Sequence, residues 1–268
     1  MKRTIITLTS DFCVQSNGVA MMEAAALEIN PKAHVINLMH GLPSFNLFYA
    51  ARTMETTNYM QVGYHVCVVD PGVGTKRKPI IIQTKRGDYL IGPDNGVLIP
   101  GARFLKGIKK VVEITNKQYM KKPVSPIFHG RDIFTPAAAY LSKGIDIGKF
   151  GKKINPKNLA KAPYEEAILE EDKIHAKIIS INKFGSLHLN ITHEAWDKFK
   201  AKINDLFVLF FGDEELKANF VTTFGGVYKG EPLIIKDEYG RIEVALNQDS
   251  FKERYKVKIG DDIVIEKR

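Results

Sequence analysis

HVCVVDPGVGTKR, residues 65–77, is the stretch from which the rest of the chain can be read. Val66, Cys67, Val68 and Val69 form an unbroken apolar run, the pattern of a strand covered on both faces inside a parallel sheet. Pro71 follows at once and holds Asp70 extended. Gly72 and Gly74 then supply a tight turn, and Arg77 stands just beyond it. The run predicts a carboxylate at the carboxyl end of an inner strand, the edge where open α/β sheets place their ligands. On these residues alone two readings stand: an Asp–Arg pair that meets a ligand, or a turn-capping aspartate beside a solvated cation.

Working outward, residues 4–9 are a β-branched run that ends in Ser10-Asp11-Phe12, a second strand delivering a carboxylate at its carboxyl end. Residues 18–29 have helical spacing and good helix formers, closed by Asn30-Pro31. A short strand is expected at 34–38, and a helix over 46–59 after His40-Gly41-Leu42-Pro43. Residues 79–84 and 89–91 read as a hairpin, followed by the turn-dense GPDNG at 92–96. A strand at 111–114 precedes an Ala-rich helix over 133–141, entered through His129-Gly130-Arg131-Asp132. This alternation predicts an α/β fold: a mostly parallel sheet flanked by helices, forming a catalytic domain over 1–152. Residues 153–166, rich in Lys, Pro and Asn, read as a linker. Over 167–268, short strands at 174–181, 186–191, 206–211, 221–224, 232–235, 241–246 and 262–265 predict a smaller antiparallel β domain, barrel- or sandwich-like.

The totals narrow the function classes. With 44% hydrophobic and 26% charged residues, the 268-residue chain has the composition of an ordinary soluble globular protein. No apolar run has bilayer length, so neither a transmembrane helix nor a membrane partner is expected. A net charge of +9 raises nucleic acid as a partner, but the basic residues are scattered and no basic stripe carries interleaved aromatics. The excess reads as a solvated surface, with no nucleic-acid partner. MKRTIITLTSDF reads as a first strand and not as a signal peptide, and Cys13 and Cys67 make no disulfide framework; a reducing cytoplasm is the expected compartment. There is no GxxxxGK[ST], no HExxH and no GxSxG, so a triphosphate loop, a zinc site and a serine hydrolase lack support, and no metal or cofactor is expected.

His129 taken alone reads as a structural histidine. Together, however, TLTSDF (7–12), VVDPGVGTKR (68–77), GPDNG (92–96) and FHGRDIFTPAAA (128–139) resemble, in order and spacing, the S-adenosyl-L-methionine (SAM) hydrolases, or SAM hydroxide adenosyltransferases. These are relatives of the fluorinating and chlorinating adenosyl enzymes. The resemblance implies that water displaces methionine from the ribose 5′ carbon, giving adenosine and methionine, with Asp70, Arg77 and His129 handling the water. The halogenating relatives carry Tyr and Ser where this chain has His129 and Gly130, which favours water over halide. Asp11 is implied as the grip on the ribose hydroxyls, and Phe45, Phe184 and Phe224 as packing for the nucleoside; by residue type each Phe reads equally well as core. A homotrimer is implied too, its pocket lying between the first domain of one subunit and the second domain of its neighbour.

The chain departs from the pattern at the methionine end. Where the family reads IDxFGNL, this chain has Ile181-Asn182-Lys183-Phe184-Gly185-Ser186-Leu187, so Asn182 and Ser186 replace the Asp and Asn that contact the amino acid. A serine that helps hold the tail carboxylate is replaced by Glu238, and the Asp usual five residues after the first is Ser16. A carboxylate facing a carboxylate in a low-dielectric pocket is costly. Three readings follow: Glu238 pairs with the substrate's ammonium, the substrate is an adenosyl sulfonium or other 5′-substituted adenosine with a different tail, or Glu238 points to solvent. A non-catalytic adenosine- or SAM-binding protein is the alternative from another class, and it would not require the Asp–Arg–His set.

Overall fold

The computed structural model describes residues 4–268; the charged start of the chain, Met1-Lys2-Arg3, lies outside the described residues. The chain divides into two compact units, Met1–Pro163 and Tyr164–Arg268.

The first unit contains β1 (Ile5–Ser10), α1 (Asn17–Ile29), β2 (His34–Met39), α2 (Leu47–Glu55), β3 (Tyr64–Val68), β4 (Pro79–Thr84), β5 (Tyr89–Pro93), α3 (Ile99–Phe104), β6 (Ile108–Ile114), α4 (Thr135–Ser142) and β7 (Gly151–Ile154). Its seven strands lie in the order β2-β1-β3-β5-β4-β6-β7. The pairings from β2 through β5 are parallel, and those from β5 through β7 antiparallel. The parallel character expected of the sheet thus belongs to the half nearest the start, where the apolar run of β3 is buried from Val66 to Val69. Ser16 starts α1 by accepting the Gly18 N–H at 3.1 Å, and Asn46 starts α2 through the Tyr49 N–H at 3.0 Å. The alanines at 137–139 are fully buried, so α4 packs closely onto the sheet and its neighbours.

The strand order opens a place for a ligand. β2 lies on one side of β1 and β3 on the other, so the winding reverses between β1 and β3. At such a switch point the connections leave in opposite directions and open a crevice outside the carboxyl ends of the strands. Ser10 is level with Val68, so Asp11 and Asp70 emerge beside that crevice.

A polar network lies at the other end of these strands. Arg86 donates Nε to Asp88 Oδ2 at 2.7 Å and Nη2 to Asp88 Oδ1 at 2.8 Å, and spends further N–H groups on the carbonyls of Thr57 and Asn58. His65 Nε2 lies 3.2 Å from Asp88 Oδ1, and its Nδ1 lies 3.0 Å from Thr7 Oγ1. Burial lowers the His65 pKa despite the pull of Asp88, which keeps the ring neutral. Burial alone would raise the Asp88 pKa, but hydrogen bonds from Arg86 and His65 hold it well below the carboxylate range.

The stretch read as a linker carries structure of its own. β7 pairs with β6, and Asp94 Oδ1 accepts the Ala160 N–H at 2.9 Å.

The second unit contains β8 (Ile168–Leu169), β9 (Lys173–Ile181), β10 (Leu187–Thr192), α5 (His193–Lys198), β11 (Leu206–Phe211), β12 (Glu214–Phe220), β13 (Pro232–Lys236), β14 (Arg241–Leu246), α6 (Phe251–Tyr255) and β15 (Asp262–Lys267). The strands run β10-β14-β13-β12-β11-β15-β9-β8, and a β9–β10 pairing closes seven of them into a barrel. All pairings are antiparallel except β12–β13. One expected strand is misplaced: residues 221–224 are not a strand, and Phe224–Gly226 is a single 3-10 turn. The strand is Glu214–Phe220, whose charged residues hide an alternation that buries Ala218 and Phe220, with Leu216 packed against the same core. Two helices of this unit absent from the expectation are α5, which buries Trp196 in the barrel core, and α6, which buries Phe251; α3 of the first unit is absent from it too. Among the described residues no helix is long and apolar enough to cross a membrane.

Removing the Asp88 carboxylate strands the Arg86 charge and the His65 N–H. Asp88→Ala is therefore expected to lower unfolding stability by about 3–5 kcal/mol, read as a reduced urea midpoint at unchanged slope.

Candidate active site

The DPGVGT loop leaves β3 and returns Arg77 onto Asp70. Arg77 Nε donates to Asp70 Oδ1 at 3.0 Å and Nη2 donates to Asp70 Oδ2, a two-point clamp between side chains that are both largely buried. The same Nη2 reaches His129 Nδ1 at 3.0 Å. A guanidinium has donors only, so Nδ1 must accept, and the imidazole carries its proton on Nε2. Burial, and next the Arg77 charge, lower the His129 pKa against the opposite pull of Asp70 and Asp132. Both arguments give a neutral ring of one defined tautomer. The Phe134 ring packs against the other side of the clamp, 5.3 Å from the Arg77 guanidinium carbon.

Two glycines make this approach possible. Gly74 has φ +75°, and a Cβ there would sit 2.4 Å from the Pro126 carbonyl oxygen, so the loop docks directly on the segment that leads into His129. Gly130 lies against β3, where a Cβ would meet Val68 at 2.9 Å and Met22 at 3.0 Å. His129 precedes a widened π-type turn over Gly130–Phe134 that runs into α4, a local distortion that recurs at functional sites. The turn is anchored by Asp132, which accepts from Arg131 Nε at 2.6 Å and from the Ser125 N–H at 2.8 Å.

Asp11, Phe12, Phe45, Val68, Asp70, Val73, Phe128, His129 and Gly130 line one cavity of about 150 Å³. This is the space of about five water molecules, enough for a sugar-sized group. Asp11 Oδ2 accepts the Phe45 N–H at 2.9 Å, which holds Phe45 in a left-handed conformation, φ 61°, with the residue 67% exposed. Residues that sequence reasoning passed over support this corner. Ser10 Oγ accepts the Phe12 N–H at 3.2 Å and lies 2.6 Å from His40 Nδ1, and Asn95 Nδ2 fastens the GPDNG loop to the Val69 carbonyl at 2.9 Å. Ser16, in place of the family's second Asp, is the cap of α1. Cys67 is buried with its thiol pushed up to about 12 by desolvation, so it is no nucleophile, and Cys13 is exposed.

The second unit holds the remaining expected residues. Phe184, Ser186 and Phe224, with Leu246, Asn247, Gln248 and Asp249, line a mainly apolar cavity of about 490 Å³. Phe184 is 67% and Phe224 43% exposed, so neither is core. Asn182 is turned into its own loop: Oδ1 accepts the N–H groups of Phe184 and Ser186 at 3.0 and 3.1 Å, and Nδ2 donates to Glu243 at 3.3 Å. Glu238 is exposed, with no hydrogen bond or ion pair to another described side chain.

Residues 6–151 match the model of the SAM hydroxide adenosyltransferase N-terminal domain, and residues 176–264 that of its C-terminal domain. The chain is 32% identical over 243 residues to an (R)-S-adenosyl-L-methionine hydrolase of Salinispora tropica, covering 90% of each. It is 31% identical over 271 residues to one of Methanocaldococcus jannaschii, covering 97% of this chain and 95% of that one. Its fold matches a solved structure of an uncharacterized conserved protein from Thermotoga maritima, with a TM-score of 0.90 and 31% identity over 98% of this chain and 100% of that one.

Gly74→Ala places a side chain in the left-handed region and against a backbone carbonyl. It is expected to destabilise by about 1–3 kcal/mol. Gly72→Ala, which meets only side-chain atoms at 3.2 Å or more, should lose well under half of that in the same denaturation experiment.

Proposed function

The chain belongs to the SAM hydroxide adenosyltransferase family, and from that premise we propose that it hydrolyses S-adenosyl-L-methionine to adenosine and L-methionine by attack of water on the ribose C5′. The observation that carries the reading is the hydrogen-bonded Asp70–Arg77–His129 set at the wall of a cavity that Asp11 also lines.

The chemistry asks for little more. The leaving group is a neutral thioether expelled from a sulfonium cation, so no general acid is needed. The water oxygen forms a bond to C5′, the C5′–S bond breaks with its electron pair going to sulfur, and one proton must leave the water. With Nδ1 of His129 occupied by Arg77, the ring offers the water only its Nε2–H, which orients the oxygen. Asp70 is the proton acceptor: each clamped oxygen keeps a second lone pair, and Arg77 fixes the direction in which it points. Positioning supplies much of the acceleration. A water-poor wall, here Phe12, Val68 and Phe128, favours a step in which a developing anion meets a cation.

Asp11, with one oxygen on the Phe45 N–H, has the other for the ribose hydroxyls, and Phe45, Phe184 and Phe224 pack on the nucleoside. The cavity of about 150 Å³ holds less than a whole adenosyl group, and the exposed aromatics of the second unit suit the remainder. We extend the proposal to the homotrimer that the family resemblance implies, with sites completed by a neighbouring subunit, testable as a threefold chain mass in sedimentation. Free cysteines suit a reducing compartment, and the proposed location is the cytoplasm.

Purified protein is expected to release adenosine and methionine from SAM in chromatography. Asp70→Asn should lower kcat by about 10²–10⁴-fold; turnover within threefold of the parent removes Asp70 from its role. Because the working imidazole is neutral with a lowered pKa, kcat/KM should be flat above the ordinary histidine value of 6.5 and fall only below it.

A further inference from the structure

Glu243 is a carboxylate in an unusual setting. Its neighbours on β14, Ile242 and Val244, pack into the barrel core, so Glu243 faces the outer side of the barrel, yet it is only 6% exposed. Its hydrogen bond is the 3.3 Å one from Asn182 Nδ2, and among the described residues no Lys or Arg pairs with it. The nearby cation, Arg241, is turned to Glu166 and the Asn190 carbonyl. Across the ladder Glu243 faces His188, whose Nδ1 lies 2.9 Å from Asp237 Oδ2 and donates to it. A nearly buried carboxylate matched only by a neutral amide is expensive.

The amide is fixed in turn. Both N–H groups on Asn182 Oδ1 belong to Phe184 and Ser186, the residues that line the 490 Å³ cavity. Glu243 does not itself line that cavity; the Asn182 side chain links it to the backbone of two residues that do. What the carboxylate lacks is a compact cation with several N–H donors.

We propose that Glu243, oriented by Asn182, receives the α-ammonium of the substrate's amino-acid tail and makes the enzyme selective for substrates carrying that amine. The assignment rests on the SAM-hydrolase reading and replaces Glu238, which is exposed, as the carboxylate that meets the tail. Asn182 and Glu243 thus share the recognition of the tail, the amide forming the turn and the acid supplying the charge.

The test compares SAM with its analogue in which hydrogen replaces the α-amino group, using full-length parent, Glu243→Gln, Asn182→Asp and the double variant. Glu243→Gln is expected to raise KM for SAM about 30-fold with kcat within threefold, and to erase most of the parent's preference for SAM over the analogue. The double variant exchanges acid and amide within the pair and should recover most of that preference, which a merely structural role for Glu243 would not produce. Thermal melts identify any variant that fails to fold, and Glu243→Asp then serves as the milder change. A KM within twofold of the parent, or an unchanged preference in a folded variant, overturns the proposal. If the parent releases no adenosine, the hydrolase reading fails separately. Calorimetric binding of SAM and the analogue still decides on Glu243: a preference for SAM lost in Glu243→Gln supports it, and no binding or no preference overturns it.

Discussion

One guanidinium sets the chemistry of the first unit. Arg77 clamps both oxygens of Asp70 and puts an N–H on His129 Nδ1, so one cation fixes a carboxylate's direction and an imidazole's tautomer together. Neither partner would be defined without it. A free aspartate at a strand end would rotate into water, and a free histidine would sample both tautomers. The DPGVGT loop exists in its observed form to bring Arg77 back to the strand it left, and Gly74 is the residue that allows the loop to touch the His129 segment.

The sheet makes the clamp useful. Because the winding reverses between β1 and β3, two carboxylates with different surroundings stand at one crevice. Asp70 is held by a cation, whereas Asp11 is held by a backbone N–H and keeps an oxygen for a polar ligand. The proposed roles, Asp70 as proton acceptor and Asp11 as sugar grip, draw on that contrast. The barrel contributes another kind of surface, with the exposed Phe184 and Phe224 lining a mainly apolar cavity. Under the proposed function, the flat ring, diol and reactive carbon of an adenosyl sulfonium are assigned to the exposed aromatics, to Asp11 and to the Asp70–Arg77–His129 set.

Much of this was legible in the sequence because the signals were local. The Val66–Val69 run is apolar on every residue, which only an inner strand tolerates, and Pro71 with two glycines leaves little choice for the loop. The motifs that carry Asp11, Asp70, Arg77 and His129 fix their sheet edge even before their contacts are known. The failures had the opposite character. Residues 221–224 look β-branched and aromatic, but the barrel takes 214–220 instead, since pairing with β11 rewards an alternation masked by Glu and Lys. Glu243 was invisible because an acidic residue in an apolar strand reads as outward and solvated. Its burial comes from tertiary packing around it, which composition does not report. Asn182 and Glu238 were placed by motif alone; the first spends its oxygen on its own turn and the second is exposed.

The central claim is that Arg77 dictates where the His129 proton sits. Nitrogen-15 NMR of the ring, assigned with a His129→Gln control, measures this directly. The account predicts that near neutral pH Nε2 resonates as a protonated nitrogen and Nδ1 as an unprotonated acceptor, and that Arg77→Gln collapses the difference toward a tautomer mixture. A protonated Nδ1 in the parent, or a spectrum unmoved by the loss of Arg77, would contradict it.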